Sequence, residues 1–300
     1  MKNLAEELKS LGFCRVSVLD GGECGIAEKR LILCFIPYES APEDPDKPEA
    51  VIHPYYPVSQ RAFRIIRQYV RKQQAAGFRI RQDTQIRIKP VLNRLPFLRR
   101  GRNTLSYLPE IGSRFHVQIM VSEEAILVTD HLSALPHPVS CGECRRCVEA
   151  CPGGAIREAA EGELSFVRER CLRWWMLNGQ CPPDFVFSSN GNRLIGCDVC
   201  ERVCPMNPVP DPCQTSETVP LEQLTDGENT DALADAIGSN YARKTRLQIQ
   251  SCVIAASTRR RDLIPRLQEM AESDSEPLRL AAQKGLDVLH SYCFPPDNPV

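Results

Sequence analysis

Nowhere in this 300-residue chain does an apolar run approach the roughly 18 residues that a membrane-spanning helix needs. Neither sign of charge dominates. The 37 Lys and Arg stand against 38 Asp and Glu, so the whole composition neither advertises nucleic-acid binding nor forbids it. The opening MKNLAEELKSLGF is amphipathic and charged, without the apolar centre of a secretory signal. A soluble, cytoplasmic protein with no membrane partner is therefore expected. There is no Ser/His/Asp arrangement and no phosphate loop, and GGECG at 21–25 fails the dinucleotide-binding pattern. His116, His131 and His137 have no metal-ligand spacing with another histidine.

What the chain does have is cysteine, 15 in all, most of them crowded between Cys141 and Cys204. A secreted disulfide scaffold is shorter and spreads its cysteines along the chain, so the crowding points to metal. Cys141-Gly-Glu-Cys144-Arg-Arg-Cys147-Val-Glu-Ala-Cys151-Pro152 is the C-x₂-C-x₂-C-x₃-C-P run of bacterial ferredoxins. Three thiolates on a tight loop wrap one corner of a cubane, and the fourth serves the other cluster. Cys197-Asp-Val-Cys200-Glu-Arg-Val-Cys204-Pro205 is a partial second copy, with Leu194 where its first cysteine would stand. Two [4Fe–4S] clusters are expected, one on Cys141, Cys144, Cys147 and Cys204, the other on Cys151, Cys171, Cys197 and Cys200. Cys181 is the reserve for Cys171. Two zinc sites are the competing reading, since zinc also accepts four thiolates, but zinc does not require this spacing closed twice by Cys-Pro. Cys14 and Cys34 read as small core hydrophobes, and Cys24, Cys213, Cys252 and Cys293 receive no role.

Around this region the pattern suggests three parts: 1–135, 136–212 and 213–300. In the first, Leu4, Leu8 and Leu11 recur at helical spacing, and RLILCFIPY suits a buried strand. PYESAPEDPDKPEA is a surface loop, a helix runs from about Ser59 to Ala76, and 115–129 holds two strands. LSALPHPVS is a linker into the cysteine region. The last part has amphipathic segments at about 241–256, 260–272 and 276–290, with the rhythm of paired antiparallel helices as in HEAT repeats. So short an array makes a helical cap, not a solenoid.

With the cysteines placed, the order of parts resembles the epoxyqueuosine reductase family, which is related to the reductive dehalogenases. The matching residues are Gly101-Arg-Asn-Thr-Leu, Gly112-Ser113 before a strand, the Cys141–Pro152 run, Arg170-Cys171 opening a helix, and Ile195-Gly-Cys through Cys204-Pro205. The resemblance implies an α+β protein: an N-terminal α/β corrinoid-binding-like domain, a bacterial dicluster ferredoxin-like domain and C-terminal HEAT-like helices. It also implies that Gly101, Arg102, Asn103, Thr104, Gly112 and Ser113 lie against a cobalamin that receives electrons from the clusters. One departure matters. The family places an aspartate as general acid in a Val-Asp-x-x-Pro type segment, whereas this chain reads Ile86-Arg87-Ile88-Lys89-Pro90. Arginine cannot donate a proton at neutral pH, because its pKa stays above about 12. The family's Asp-Tyr-His element is also missing, with Pro57-Val-Ser-Gln-Arg-Ala-Phe-Arg64 in its place.

From Arg61 to Arg102 there are 13 Lys and Arg and one acid, Asp83. Such a surplus is read in three ways: a solvated helix face with snorkelling arginines, a phosphate-binding patch for tRNA or a nucleotide-tailed corrinoid, or a dock for an acidic electron donor such as ferredoxin or flavodoxin. Tyr55, Tyr56 and Tyr107 could stack on a flat ligand, although aromatics near strand ends more often serve the core. Trp174 and Trp175 read as cluster shields. The functional expectation is an iron–sulfur oxidoreductase passing electrons to cobalamin and on to an unidentified substrate. A cobalamin-free dicluster electron carrier serving a partner enzyme and a tRNA-modifying reductase are its rivals.

Overall fold

Arg30–Pro37 reads RLILCFIP, apolar at every position between its ends, and a strand of that kind must be covered on both faces. In the computed structural model it is an inner strand of a four-stranded sheet ordered Arg15–Asp20, Arg30–Pro37, Phe115–Ser122, Ile80–Asp83. All three pairings are antiparallel. The sheet of this part, expected as an α/β domain, is thus antiparallel throughout its described strands. The structure describes residues 4–22, 29–40, 48–109, 111–124, 141–158, 164–210, 213–228 and 230–291. It falls into two units: 1–39 with 57–144 and 205–209, and 40–56 with 145–204 and 210–300.

Alternation along the strand sends Ile32, Cys34 and Ile36 to a core shared with Leu4, Leu8, Ala62, Ile66 and Val70 of two helices. Leu31, Leu33 and Phe35 go to the other core, with Phe97, Leu108 and Phe115. Phe35 is fully buried, its ring 6.1 Å from that of Phe97 and 5.5 Å from that of Phe115. Phe35→Ala should cost about 3–5 kcal/mol, read as a lowered urea midpoint. The expected helix from Ser59 begins earlier, at Tyr55, and runs to Ala75, because Pro57 is tolerated in a first turn that needs no N–H. Leu11, expected on the buried face of the first helix, lies beyond its end and is 43% exposed. Of the two strands expected at 115–129, Phe115–Ser122 forms one. The other, the linker at 132–140 and the middle half of the acidic loop (41–47) lie outside the described residues, as do Cys24, Cys293, His131 and His137.

In the second unit a three-stranded sheet is ordered Arg193–Ile195, Ala50–Ile52, Glu217–Val219. The segment read as amphipathic at 241–256 is the helix Lys244–Ser257, and it is not amphipathic: Ile249 through Ala256 are buried without a break. Leu172–Asn178, Asp184–Ser189, Leu221–Asp226, Glu276–Ser291 and the strand Arg193–Ile195 all pack on it, so from Ile249 to Ala256 no face is left for water. Gln250 is inside as well, and its side-chain NH₂ donates to Asn190 Oδ1 (3.2 Å) and to the Arg193 carbonyl (3.0 Å). These bonds tie the central helix to the strand that leads into Cys197.

Candidate iron–sulfur site

Cys147 and Cys200 lie in two short helices, Arg146–Glu149 and Val199–Arg202, which pack on each other. The two motifs repeat each other bond for bond. Arg145 and Asp198, just before the helices, have φ/ψ of −117°/4° and −111°/3°. The Val148 N–H donates to the Arg145 carbonyl as the Glu201 N–H does to that of Asp198, each at 2.8 Å. The Cys151 N–H to the Val148 carbonyl (3.4 Å) matches the Cys204 N–H to that of Glu201 (3.2 Å). The repeat ends at Cys141, whose counterpart Leu194 is 2% exposed inside the strand Arg193–Ile195. A residue committed to that core cannot serve as a ligand, so the second motif needs a cysteine from elsewhere.

The structure brings Cys171 to that motif. Burial raises the Cys171 thiol, and the nearness of Cys151 adds to it. Burial pushes Cys197 up to about 11, with Asp198 and then Cys171 adding to it. Cys200 is driven well above its ordinary value by burial, then by the charges of Cys197, Cys171, Cys151 and Glu201. Cys151, Cys171 and Cys197 thus each act on the charge of Cys200, and thiolates so placed are stabilised by a cationic metal core. Cys181 sits apart. Burial raises its thiol, and its charged neighbours are Lys284 and Asp184. Among the described residues no three His, Cys, Asp or Glu side chains converge on a single-ion site.

The Cys151–Cys171 junction rests on a glycine. A side chain at Gly153 would fall on the Arg170 carbonyl oxygen and 2.9 Å from the Phe185 ring, and the Arg170 guanidinium donates to the Gly153 carbonyl at 2.7 Å while lying 4.4 Å from that ring. Cys151 itself accepts the Ala155 N–H at 3.2 Å. In the other unit the Arg102 main-chain N–H donates to Cys141 Sγ at 3.4 Å, and its guanidinium donates to the Gly142 carbonyl. Neither Gly153 nor the Arg102–Cys141 bond was picked out from the sequence. The Pro-Gly-Gly that follows Cys151 was the available signal for the first; nothing in the spacing announces the second. A buried pair was also missed: His53 Nε2 lies 3.8 Å from a Glu201 carboxylate oxygen, and His53 Nδ1 accepts the Tyr55 N–H at 3.1 Å. Gly196, with φ +88°, leaves room for it, since a Cβ there would sit 2.5 Å from that of His53.

The residues read as corrinoid contacts are engaged within the chain. A Cβ at Gly101 would meet the Tyr107 ring at 2.6 Å, and one at Gly112 would collide with the Asn207 side chain. The Asn103 amide donates to the Tyr107 hydroxyl at 2.7 Å, and the Ser113 N–H donates to Asn207 Oδ1 at 2.7 Å. Arg102 holds Cys141, and Thr104 makes the turn at φ +63°. Tyr56, considered for stacking, is a core residue 1% exposed. Burial pushes its hydroxyl up to about 12 against the opposing pull of Arg173, which donates to it at 3.1 Å. Trp174 lies under the Arg168 guanidinium, 4.2 Å away, and the Trp175 ring N–H donates to the Glu169 carbonyl.

Arg61, Arg67, Arg71, Lys72 and Arg87 are exposed. The one acid of the basic segment, Asp83, is 8% exposed. Burial opposes its ionisation, but N–H groups of Ile86 and Gln85 and the Arg81 guanidinium outweigh that and hold its carboxyl below the usual range. It stays ionised and caps a turn, so it does not replace the proton donor absent at Arg87.

The repeated Cys-Pro motifs and their setting define a double-cluster protein: residues 140–207 match the family described as a 4Fe-4S double cluster binding domain, a match that supports two [4Fe–4S] clusters. More particularly, the chain resembles the epoxyqueuosine reductases. It is 27% identical over 189 residues to the epoxyqueuosine reductase of Bacillus subtilis (strain 168), which is 59% of this chain and 46% of that one. It is 34% identical over 109 residues to that of Prochlorococcus marinus (strain NATL2A), 36% of this chain and 32% of the relative. The chain spans about half the length of the first curated relatives it matches. Among solved structures, epoxyqueuosine reductase from Streptococcus thermophilus superimposes with TM-score 0.67 at 17% identity, covering 98% of this chain and 92% of that one. Epoxyqueuosine reductase with an epoxyqueuosine-modified tRNA stem loop gives 0.65 at 17% identity, covering 95% and 97%. These likenesses establish the mixed α+β fold. No helix among the described residues is long and apolar enough to cross a membrane.

Proposed function

We propose that this chain is an iron–sulfur oxidoreductase of epoxyqueuosine reductase type, with one cluster on Cys141, Cys144, Cys147 and Cys204 and the other on Cys151, Cys171, Cys197 and Cys200. The observation that carries it is the bond-for-bond repeat of the two Cys-Pro motifs, together with the approach of Gly153 to Arg170 that sets Cys151 beside Cys171. That all-sulfur set fits a cubane. Bound there, such clusters supply single-electron transfer. The chain's own share is to hold the sulfurs in place and to donate N–H bonds to Cys141 and Cys151. Each of these influences a cluster's potential.

The finer reading has electrons pass to a cobalamin held by the first unit, with HEAT-like helices at the other end of the chain and a tRNA or small-molecule substrate. At Gly101–Thr104 and Gly112–Ser113, Tyr107 and Asn207 pack against the two glycines, and the side chains of Asn103 and Ser113 are bonded inside the chain. This engagement, with Arg87 in the place of the expected acid, favours the second reading, a cobalamin-free dicluster carrier that reduces a partner enzyme. A visible-absorption titration of the cluster-reconstituted protein with hydroxocobalamin under anaerobic conditions separates the two. The carrier reading expects no spectral change, whereas saturation at one equivalent would make the chain a cobalamin reductase, with the tRNA bound to its structural relative as the first substrate to try.

A further inference from the structure

Residues 84–109 carry six Lys and Arg and no Asp or Glu. Their end is a tight hairpin in which Arg99 pairs with Tyr107 and Arg100 with Ser106. The turn is closed by N–H bonds from Thr104 to the Gly101 carbonyl and from Gly101 to the Leu105 carbonyl, at 3.0 and 2.9 Å. Thr104 accepts φ +63° to make it, a conformation that costs a β-branched residue about 1–3 kcal/mol and is characteristic of functional loops. The hairpin is thus held rigid with its two ends doing different things. Arg102 grips the Cys141 loop through a main-chain N–H on Cys141 Sγ and a side-chain bond to the Gly142 carbonyl. Arg99 and Arg100 are exposed, as are Arg87, Lys89 and Arg94 leading up to them.

We infer that the Arg99–Tyr107 hairpin is the docking surface by which an acidic one-electron carrier protein reaches the Cys141 loop, an inference that rests on Cys141 being a cluster ligand. The carrier loses one electron and the cluster beside Cys141 gains it, with no bond made or broken. Redox encounters use small interfaces, with opposite charge supplying the on-rate, and a cationic hairpin bonded directly to a ligand loop meets both needs. An RNA partner is less well served. Base recognition uses exposed aromatic faces, whereas Phe97 and Tyr107 on this stretch are 0% and 5% exposed.

The test uses the cluster-reconstituted chain and an acidic [2Fe–2S] ferredoxin as probe. In calorimetry at low salt, the double charge reversal Arg99→Glu and Arg100→Glu should weaken oxidised ferredoxin binding by about 10-fold or more, and the difference should shrink near 0.5 M salt. The paired Arg→Lys variant should bind as the parent does. Reduction by reduced ferredoxin should slow in parallel, while reduction by the methyl viologen radical cation should not slow. Equal ferredoxin affinity in parent and reversed proteins overturns the proposal, as does a reversal that weakens only a tRNA stem loop. Bleaching of the cluster absorption by viologen tests the two-cluster reading separately, and the binding result stands whichever way that goes.

Discussion

Cys171→Ala should leave about four irons per chain where the parent reconstitutes with about eight, and Cys181→Ala should keep all of them. The first substitution removes the sulfur that stands in for the position Leu194 occupies. Cys151, Cys197 and Cys200 then remain without their fourth partner, the thiols of Cys197 and Cys200 raised by burial. Three ligands hold a cubane poorly, and the visible absorption near 400 nm should fall by about half. Cys181 faces Lys284 and Asp184, not the other cluster sulfurs, so its loss removes no ligand. Iron, acid-labile sulfide and zinc measured together settle both the pairing and the metal. About four irons in Cys181→Ala would exchange the two assignments, and zinc in place of sulfide would end the cluster reading.

How far the sequence reveals this arrangement depends on the range of the interactions. The strand Arg30–Pro37 was legible because an unbroken apolar run has few other solutions, and the cluster motifs because a tight loop around a cubane leaves little freedom in its spacing. The second motif's missing cysteine was legible as an absence at Leu194, but the burial that explains it comes from the pairing of Arg193–Ile195 with Ala50–Ile52, far away in sequence. The helix Lys244–Ser257 was misjudged as amphipathic for a similar reason. Whether Gln250 and Ser251 face water or a partner depends on Asn190 and the surrounding helices, which local periodicity does not contain. The Gly101–Thr104 segment was noticed, and its link to Cys141 was not. A main-chain N–H pointing at a sulfur leaves no trace in residue types, because any residue but proline could supply it.

Gly153→Ala should be nearly as damaging to the cluster on Cys151, Cys171, Cys197 and Cys200 as the loss of a ligand, although the residue carries no side chain of its own. The added methyl would occupy the Arg170 carbonyl oxygen, a main-chain atom that cannot swing aside as a flexible side chain would, and would press on the Phe185 ring. Relief requires the 151–154 segment to withdraw from 170–171, which separates Cys151 from Cys171 and breaks the Arg170 bond to the Gly153 carbonyl. A bridge across four sulfurs tolerates little of this, since ligand geometry must hold to within about 0.5 Å. Iron should again fall toward about four per chain. Gly154→Ala is the informative control: that residue has φ +61° with nothing within 4 Å of a Cβ, so it should lose about 1 kcal/mol of stability from backbone strain and keep its clusters. Full iron in Gly153→Ala would show that the approach of the two segments is not what holds Cys151 to its partners.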